Sequence, residues 1–184
     1  MHNRSIRMIS RVVLTGRMRN NDTIPVEKII NAFDDKSTET VQLIIAGSGM
    51  YNADGCLAIV DLVEDQHKRT GKPVKTHLLA STGLLDFFVW LRCGINGRTM
   101  RSTARIRVKL PDWCRFSSIE CGQEKIAEAE RNLELMSILE SINEYIPLTE
   151  NEGKYLNILN LDEFGLLSES YLYLMEQKNY GISF

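Results

Sequence analysis

The chain has 184 residues and 43% of them are apolar, which suffices for one core and predicts a single domain over residues 1–184. The formal net charge of -2 argues against an extended nucleic-acid interface, because such surfaces carry a basic excess. No apolar run reaches the roughly 18 residues that span a bilayer, and the first residues lack the apolar core of a secretory signal. We therefore expect a cytoplasmic protein with no nucleic-acid and no membrane partner.

Strand and helix patterns alternate along the chain, which predicts an α/β fold with a largely parallel sheet. After a first strand within residues 10–16, Pro25 begins a helix with one buried face. The apolar residues of that face keep helical spacing: Val26, Ile29, Ile30 and Phe33. The continuous apolar run at residues 41–46 is typical of a buried strand.

A second helix is predicted after Asp54 or Gly55, and Gly71 ends it. The next strand-like run, residues 74–83, leads directly into an apolar helix from about residue 84 to residue 92. This third helix is apolar nearly all round, as a central buried helix should be. Its one acid, Asp86, is expected to face solvent or to cap the first turn, where a carboxylate suits the helix dipole.

The last strong pattern is one long helix from Ser118 to Tyr145, closed by Pro147. Its apolar residues recur at steps of three and four: Ile126, Ala129, Leu133, Met136, Leu139, Ile142 and Ile146. A helix this long exceeds what one small core needs, so part of its apolar stripe is expected to contact another subunit. The alternative is that the stripe packs within its own chain.

The four cysteines contain no Cys-x-x-Cys pair: Cys56, Cys93, Cys114 and Cys121. Zinc sites need tighter spacing, and disulfides are unusual in a reducing compartment. We expect free thiols, no metal and no cofactor.

Ser81 is the leading candidate for chemistry, because it lies in an Ala-Ser-x-Gly turn between a strand and a helix. A helix N-terminus leaves backbone N–H groups unpaired and carries partial positive charge, so an oxyanion that develops beside Ser81 could be stabilised there. Short Ser-x-Gly sequences also form plain turns. The flanking segments therefore decide the interpretation.

Those segments resemble, in order and spacing, the ClpP family, the proteolytic subunits of Clp-type ATP-dependent proteases. The matching segments are a first strand and Thr-Gly turn at 10–16, a strand at 41–46, a loop at 47–55, a strand and serine turn at 74–83, a strand at 105–111 and a C-terminal segment at 172–182. The resemblance covers nearly the whole chain. It implies a ClpP/crotonase-like spiral of β-β-α units, with residues 118–147 as the long handle helix through which rings stack.

The resemblance also implies site residues, and several depart from the family pattern. Ser81 corresponds to the nucleophile, the position of the family's histidine falls on Lys109, and that of its aspartate falls on Glu169. The implied oxyanion and substrate-binding positions are Gly49, Met50 and Thr82. None of the three histidines, His2, His67 and His77, aligns with the family's base. Lysine serves as general base with serine on other folds, so Lys109 is the candidate base.

Three functions therefore stay open. The first is a ClpP-like serine-type peptidase subunit of a homo-oligomeric ring, working on peptide substrates with an AAA+ unfoldase. The second is a catalytically silent ClpP-like subunit that assembles with active ClpP subunits or regulates them, because loss of a triad base normally costs many orders of magnitude in rate. The third is a crotonase-like enzyme acting on acyl thioesters, which would need an extended pantetheine channel.

Overall fold

A computed structural model describes residues 8–15, 24–47, 52–111 and 132–168. The elements in chain order are β1 (Ile9–Leu14), α1 (Ile24–Asp34), β2 (Thr40–Ile45), α2 (Ala53–Thr70), β3 (Val74–Leu78), α3 (Leu84–Cys93), β4 (Arg98–Met100), β5 (Ile106–Arg107), α4 (Leu133–Asn143), α5 (Leu148–Asn151), β6 (Tyr155–Leu156) and α6 (Ile158–Glu163).

The first four strands form a parallel sheet in the order β1-β2-β3-β4, and β5 pairs with β6 in a separate antiparallel pair. Each of β1, β2 and β3 is followed by a helix that leads to the neighbouring parallel strand. Crossovers of one hand that advance in one direction place their helices on the same face of a sheet. Consistent with this, α1 packs against α2 and α2 packs against α3. The predicted α/β class with a parallel sheet is confirmed.

The core lies between this sheet and its helices. Alternate residues of β2 are fully buried, namely Val41, Leu43 and Ile45, because one face of each strand points to the helix layer. On the opposite face, Ile9 and Val13 of β1 are about half exposed, at 51% and 46%. Within the described residues, the sheet is thus covered on one side.

Helix α3 is the central element of the helix layer, as its sequence predicts. Trp90 is fully buried, its indole Nε1 donates to the carbonyl of Thr99 at 2.9 Å, and its own carbonyl accepts from the Thr76 hydroxyl at 2.9 Å. At the end of the helix, a Cβ atom on Gly94 would lie 2.3 Å from Cγ of Arg98 and 2.6 Å from Oγ1 of Thr76. Only glycine lets the helix end this close to β3 and β4.

Helix boundaries follow the sequence signals with small shifts. Helix α2 starts earlier than predicted, because the Asn52 side chain caps it by accepting from the N–H of Gly55 at 2.9 Å. It ends where predicted, with Gly71 in the left-handed conformation at φ 67°. Of the predicted long helix, the described part is α4, which follows Asn132 with its non-helical φ of -119° and ψ of 38°. Residues 118–131 lie outside the described residues.

Candidate active site

Backbone pairing between the serine turn and β5 builds the candidate site. The N–H of Thr82 donates to the carbonyl of Arg105 at 2.9 Å, and the N–H of Arg107 donates to the carbonyl of Thr82 at 2.8 Å. These bonds form a parallel bridge between Thr82 and Ile106. The bridge holds the turn before α3 beside the segment that continues from β5 to Lys109.

The result is a cavity of about 360 Å³ that two of the three predicted catalytic residues, Ser81 and Lys109, line. Its lining residues are Ser81, Thr82, Gly83, Leu84, Arg107, Lys109 and Tyr155. Ser81 and Lys109 are both exposed, so their side chains are accessible to a substrate. The structure therefore brings the candidate nucleophile and the candidate base to one cavity.

The segment that carries Lys109 is anchored through its backbone. Val108 donates its N–H to the carbonyl of Lys154 at 3.0 Å and accepts from the N–H of Gly153 at 2.9 Å. The N–H of Leu110 donates to a carboxylate oxygen of Glu152 at 2.8 Å. Val108 and Leu110 are buried whereas Lys109 is exposed. This alternation directs the lysine outward, as the strand pattern predicts.

The environment of Asp86 differs from the one that the sequence predicts. The expectation that it faces solvent is wrong: Asp86 is 1% exposed, and one of its carboxylate oxygens accepts a hydrogen bond from the buried Thr82 hydroxyl. The two residues are four positions apart, so the short turn before α3 folds back onto the first turn of the helix. The sequence contains a signal for this contact, because a hydroxyl residue and a carboxylate residue lie four positions apart at the start of the helix.

The Asp86 carboxylate also affects a buried thiol on α2. Burial, and to a smaller extent the charge of Asp86, raises the pKa of Cys56. Burial likewise raises the pKa of Cys93, which is fully buried. Cys56 and Cys93 are free thiols, and raised pKa values make them poor nucleophiles. Cys114 and Cys121, for which free thiols are also predicted, lie outside the described residues.

Of the three residues predicted to bind the oxyanion or the substrate, the structure describes only Thr82. The N–H of Thr82 is hydrogen-bonded to Arg105 at 2.9 Å in this structure. Gly49, Met50 and Glu169 lie outside the described residues. Helix α3 starts at Leu84 without a side-chain cap from Gly83, and both residues line the cavity. The start of a helix, where N–H groups lack intrahelical acceptors and carry partial positive charge, is therefore at the cavity.

Sequence reasoning missed the contribution of Tyr155. Its ring lines the cavity and lies under the Arg107 guanidinium, whose Cζ is 5.9 Å from the ring centroid. The two residues are register partners across β5 and β6. No local pattern pairs two such short strands, which explains the omission.

The described histidines lie elsewhere. Nδ1 of His67 is 2.8 Å from the carbonyl of Lys72, and Nδ1 of His77 is 2.9 Å from the Thr99 hydroxyl. Burial lowers the pKa of His77. Neither ring lines the cavity, and His2 lies outside the described residues. Across residues 8–15, 24–47, 52–111 and 132–168, no cluster of three His, Cys, Asp or Glu side chains is arranged to hold a metal ion.

The chain matches no protein-family model and no curated protein. Among its described helices, none combines the length and the apolar character needed to cross a membrane.

Proposed function

We propose that this chain is a ClpP-like serine-type peptidase subunit in which Ser81 attacks a peptide carbonyl and Lys109 accepts the serine proton. The observation that carries the proposal is the shared cavity of Ser81 and Lys109, because a nucleophile and its base must meet at one reacting atom. First-turn N–H groups of α3 and the loop around Gly49 and Met50 would bind the oxyanion. Glu169 would orient the base.

The topology supports the ClpP/crotonase-like spiral as the finer fold. Three successive crossovers advance in one direction through the order β1-β2-β3-β4, as in a spiral, and each described repeat contains one strand and one helix where the resemblance implies two strands. The serine turn follows the third strand and precedes the central helix α3. Both features agree with the order of segments on which the resemblance rests.

The proposed assembly is a ring of identical subunits, either single or stacked on a second ring. This assembly receives peptide from an AAA+ unfoldase. Of the predicted stripe on residues 118–147, Leu139, Ile142 and Ile146 are buried within the chain itself. The support for a subunit contact is Leu133, which is 62% exposed, together with the apolar residues that the sequence predicts before it. Light scattering of the 21.0 kDa chain should give a mass of several subunits. A monomer at micromolar concentration would contradict the assembly.

Labelling of the assembled protein with a fluorophosphonate probe tests the chemistry. Ser81→Ala should abolish labelling, and Ser102→Ala, which removes an exposed serine from a turn after β4, should leave it unchanged. Lys109→Ala should remove peptide hydrolysis, while Lys154→Ala, at another exposed lysine near the same strand pair, should not. Loss of a catalytic base costs at least about 100-fold in rate. Full labelling and hydrolysis in Ser81→Ala would refute the proposal.

A silent ClpP-like subunit is the second candidate, and two observations favour it. Lys109 is exposed, so the described residues do not exclude water from the proposed base. In addition, the N–H of Thr82 is engaged with Arg105. The variant Lys109→His, alone or with Glu169→Asp, separates the two candidates. If the wild type is inert and the variant hydrolyses peptides, the result supports the silent subunit. If the wild type hydrolyses peptides and the variant does not, the result supports a lysine base.

A further inference from the structure

The charge of the cavity points to the chemistry of its ligand. Two of the seven lining residues, Arg107 and Lys109, are cationic, and none is acidic. Within the described part of the chain, neither cation forms an ion pair. Even with Glu169 beside Lys109, as proposed above, the two cations outnumber that one acid, and a concave surface with excess positive charge attracts an anionic group.

Arg107 is the permanent cation of the pair. A lysine that acts as base must first lose its proton, whereas an arginine keeps its charge at any physiological pH. The Tyr155 ring beneath the guanidinium orients it by a cation–π contact and does not neutralise it. The planar N–H donors are therefore available for a bidentate contact with a carboxylate.

The position of Arg107 limits where such a carboxylate can lie. Arg107 lines the same cavity as Ser81, and its backbone N–H donates to the carbonyl of Thr82, the residue after the serine, at 2.8 Å. An extended peptide advances about 3.3 Å per residue. An anion held by Arg107 is then within about two residues of a carbonyl at Ser81. That position belongs to the substrate's residues flanking the scissile bond.

We infer that Arg107, held by Tyr155, is a specificity-determining residue that binds a carboxylate of the peptide substrate beside the bond that Ser81 attacks. The carboxylate belongs to an acidic side chain or to the peptide's C-terminus. The inference rests on the proposed function for the identity of the ligand. Binding itself does not require Ser81 to react, so it can be tested separately.

The experiment measures peptide binding to the full chain carrying Ser81→Ala, by calorimetry so that no charged dye intervenes. Three matched peptides are compared: an internal glutamate with a C-terminal amide, a glutamine in its place with the amide, and the glutamine peptide with a free C-terminal carboxylate. We expect at least one carboxylate peptide to bind about 2- to 5-fold tighter than the neutral one. The preferred peptide identifies the source of the carboxylate.

Variants in this background assign the preference to the guanidinium. Arg107→Gln should abolish it, Arg107→Lys should retain part of it, and Tyr155→Phe should leave it intact because the ring is kept. Arg101→Gln is the matched control, since Arg101 is exposed and does not line the cavity. The preference should shrink in about 1 M salt, because screening weakens exposed charge pairs.

The outcomes separate this inference from the proposed function. Absence of peptide binding, equal binding of all three peptides, or a preference that survives Arg107→Gln overturns the inference. Suppose that the Ser81→Ala protein prefers carboxylate peptides, while the wild type neither reacts with the fluorophosphonate probe nor hydrolyses peptides. That result supports the carboxylate subsite and rejects the peptidase. Hydrolysis by the wild type without any carboxylate preference keeps the peptidase and rejects the subsite.

Discussion

The buried hydrogen bond between Thr82 and Asp86 should contribute measurably to stability. The Thr82 hydroxyl donates to the carboxylate, and the two residues are 3% and 1% exposed. Thr82→Val removes the hydroxyl and leaves the side-chain volume nearly unchanged. Because hydrogen bonds to charged groups contribute about 1.5–3 kcal/mol, we expect a loss of that size in unfolding free energy. For a chain of this length, about 2 kcal/mol corresponds to a decrease of roughly 4–8 °C in Tm.

A double-mutant cycle isolates this one interaction. Urea unfolding of the wild type, Thr82→Val, Asp86→Ala and the double variant gives four free energies, provided that the m-values agree. Other contacts of Asp86 are lost in both Asp86→Ala proteins and cancel in the comparison. In the Asp86→Ala background, Thr82→Val should cost little. A coupling energy below about 0.5 kcal/mol would refute the reasoning that the hydroxyl stabilises the carboxylate.

Three further predictions concern the core and the titrating groups. Gly94→Ala should destabilise the protein by about 1–3 kcal/mol in urea unfolding, because the new methyl group overlaps its neighbours; an unchanged midpoint would contradict the close approach. Cys56 and Cys93 should resist iodoacetamide in the native protein and react in urea, as peptide mass mapping can show, since burial raises both pKa values. Burial lowers the pKa of His77 from 6.5, so as pH falls through 6.5 the unfolded chain takes up a proton that the folded chain does not, and stability falls. His77→Gln should reduce the stability difference between about pH 7.5 and about pH 5.5.

The sequence by itself determined the local elements. The continuous apolar run of β2, the helical spacing in α1 and the apolar character of α3 are short-range patterns, and each element forms where its pattern lies. Gly71 ended α2 as predicted, because a left-handed residue at a helix end favours glycine whatever surrounds it. Ser81 at a strand-to-helix turn was visible for the same reason. Local steric and hydrogen-bonding preferences act over a few neighbouring residues, so they can be recognised in the sequence without knowledge of the fold.

Only the tertiary structure decided which of these segments meet. The bridge from Thr82 to Ile106 gives Ser81 and Lys109 a common cavity, and nothing near either residue specifies that pairing. The same holds for Tyr155, whose ring lies under a cation brought to it by a strand pair of two residues on each side. Long-range pairing depends on how the whole core packs. Ser81 and Lys109 were therefore predictable one by one, whereas their common cavity and the contribution of Tyr155 were decided by the fold.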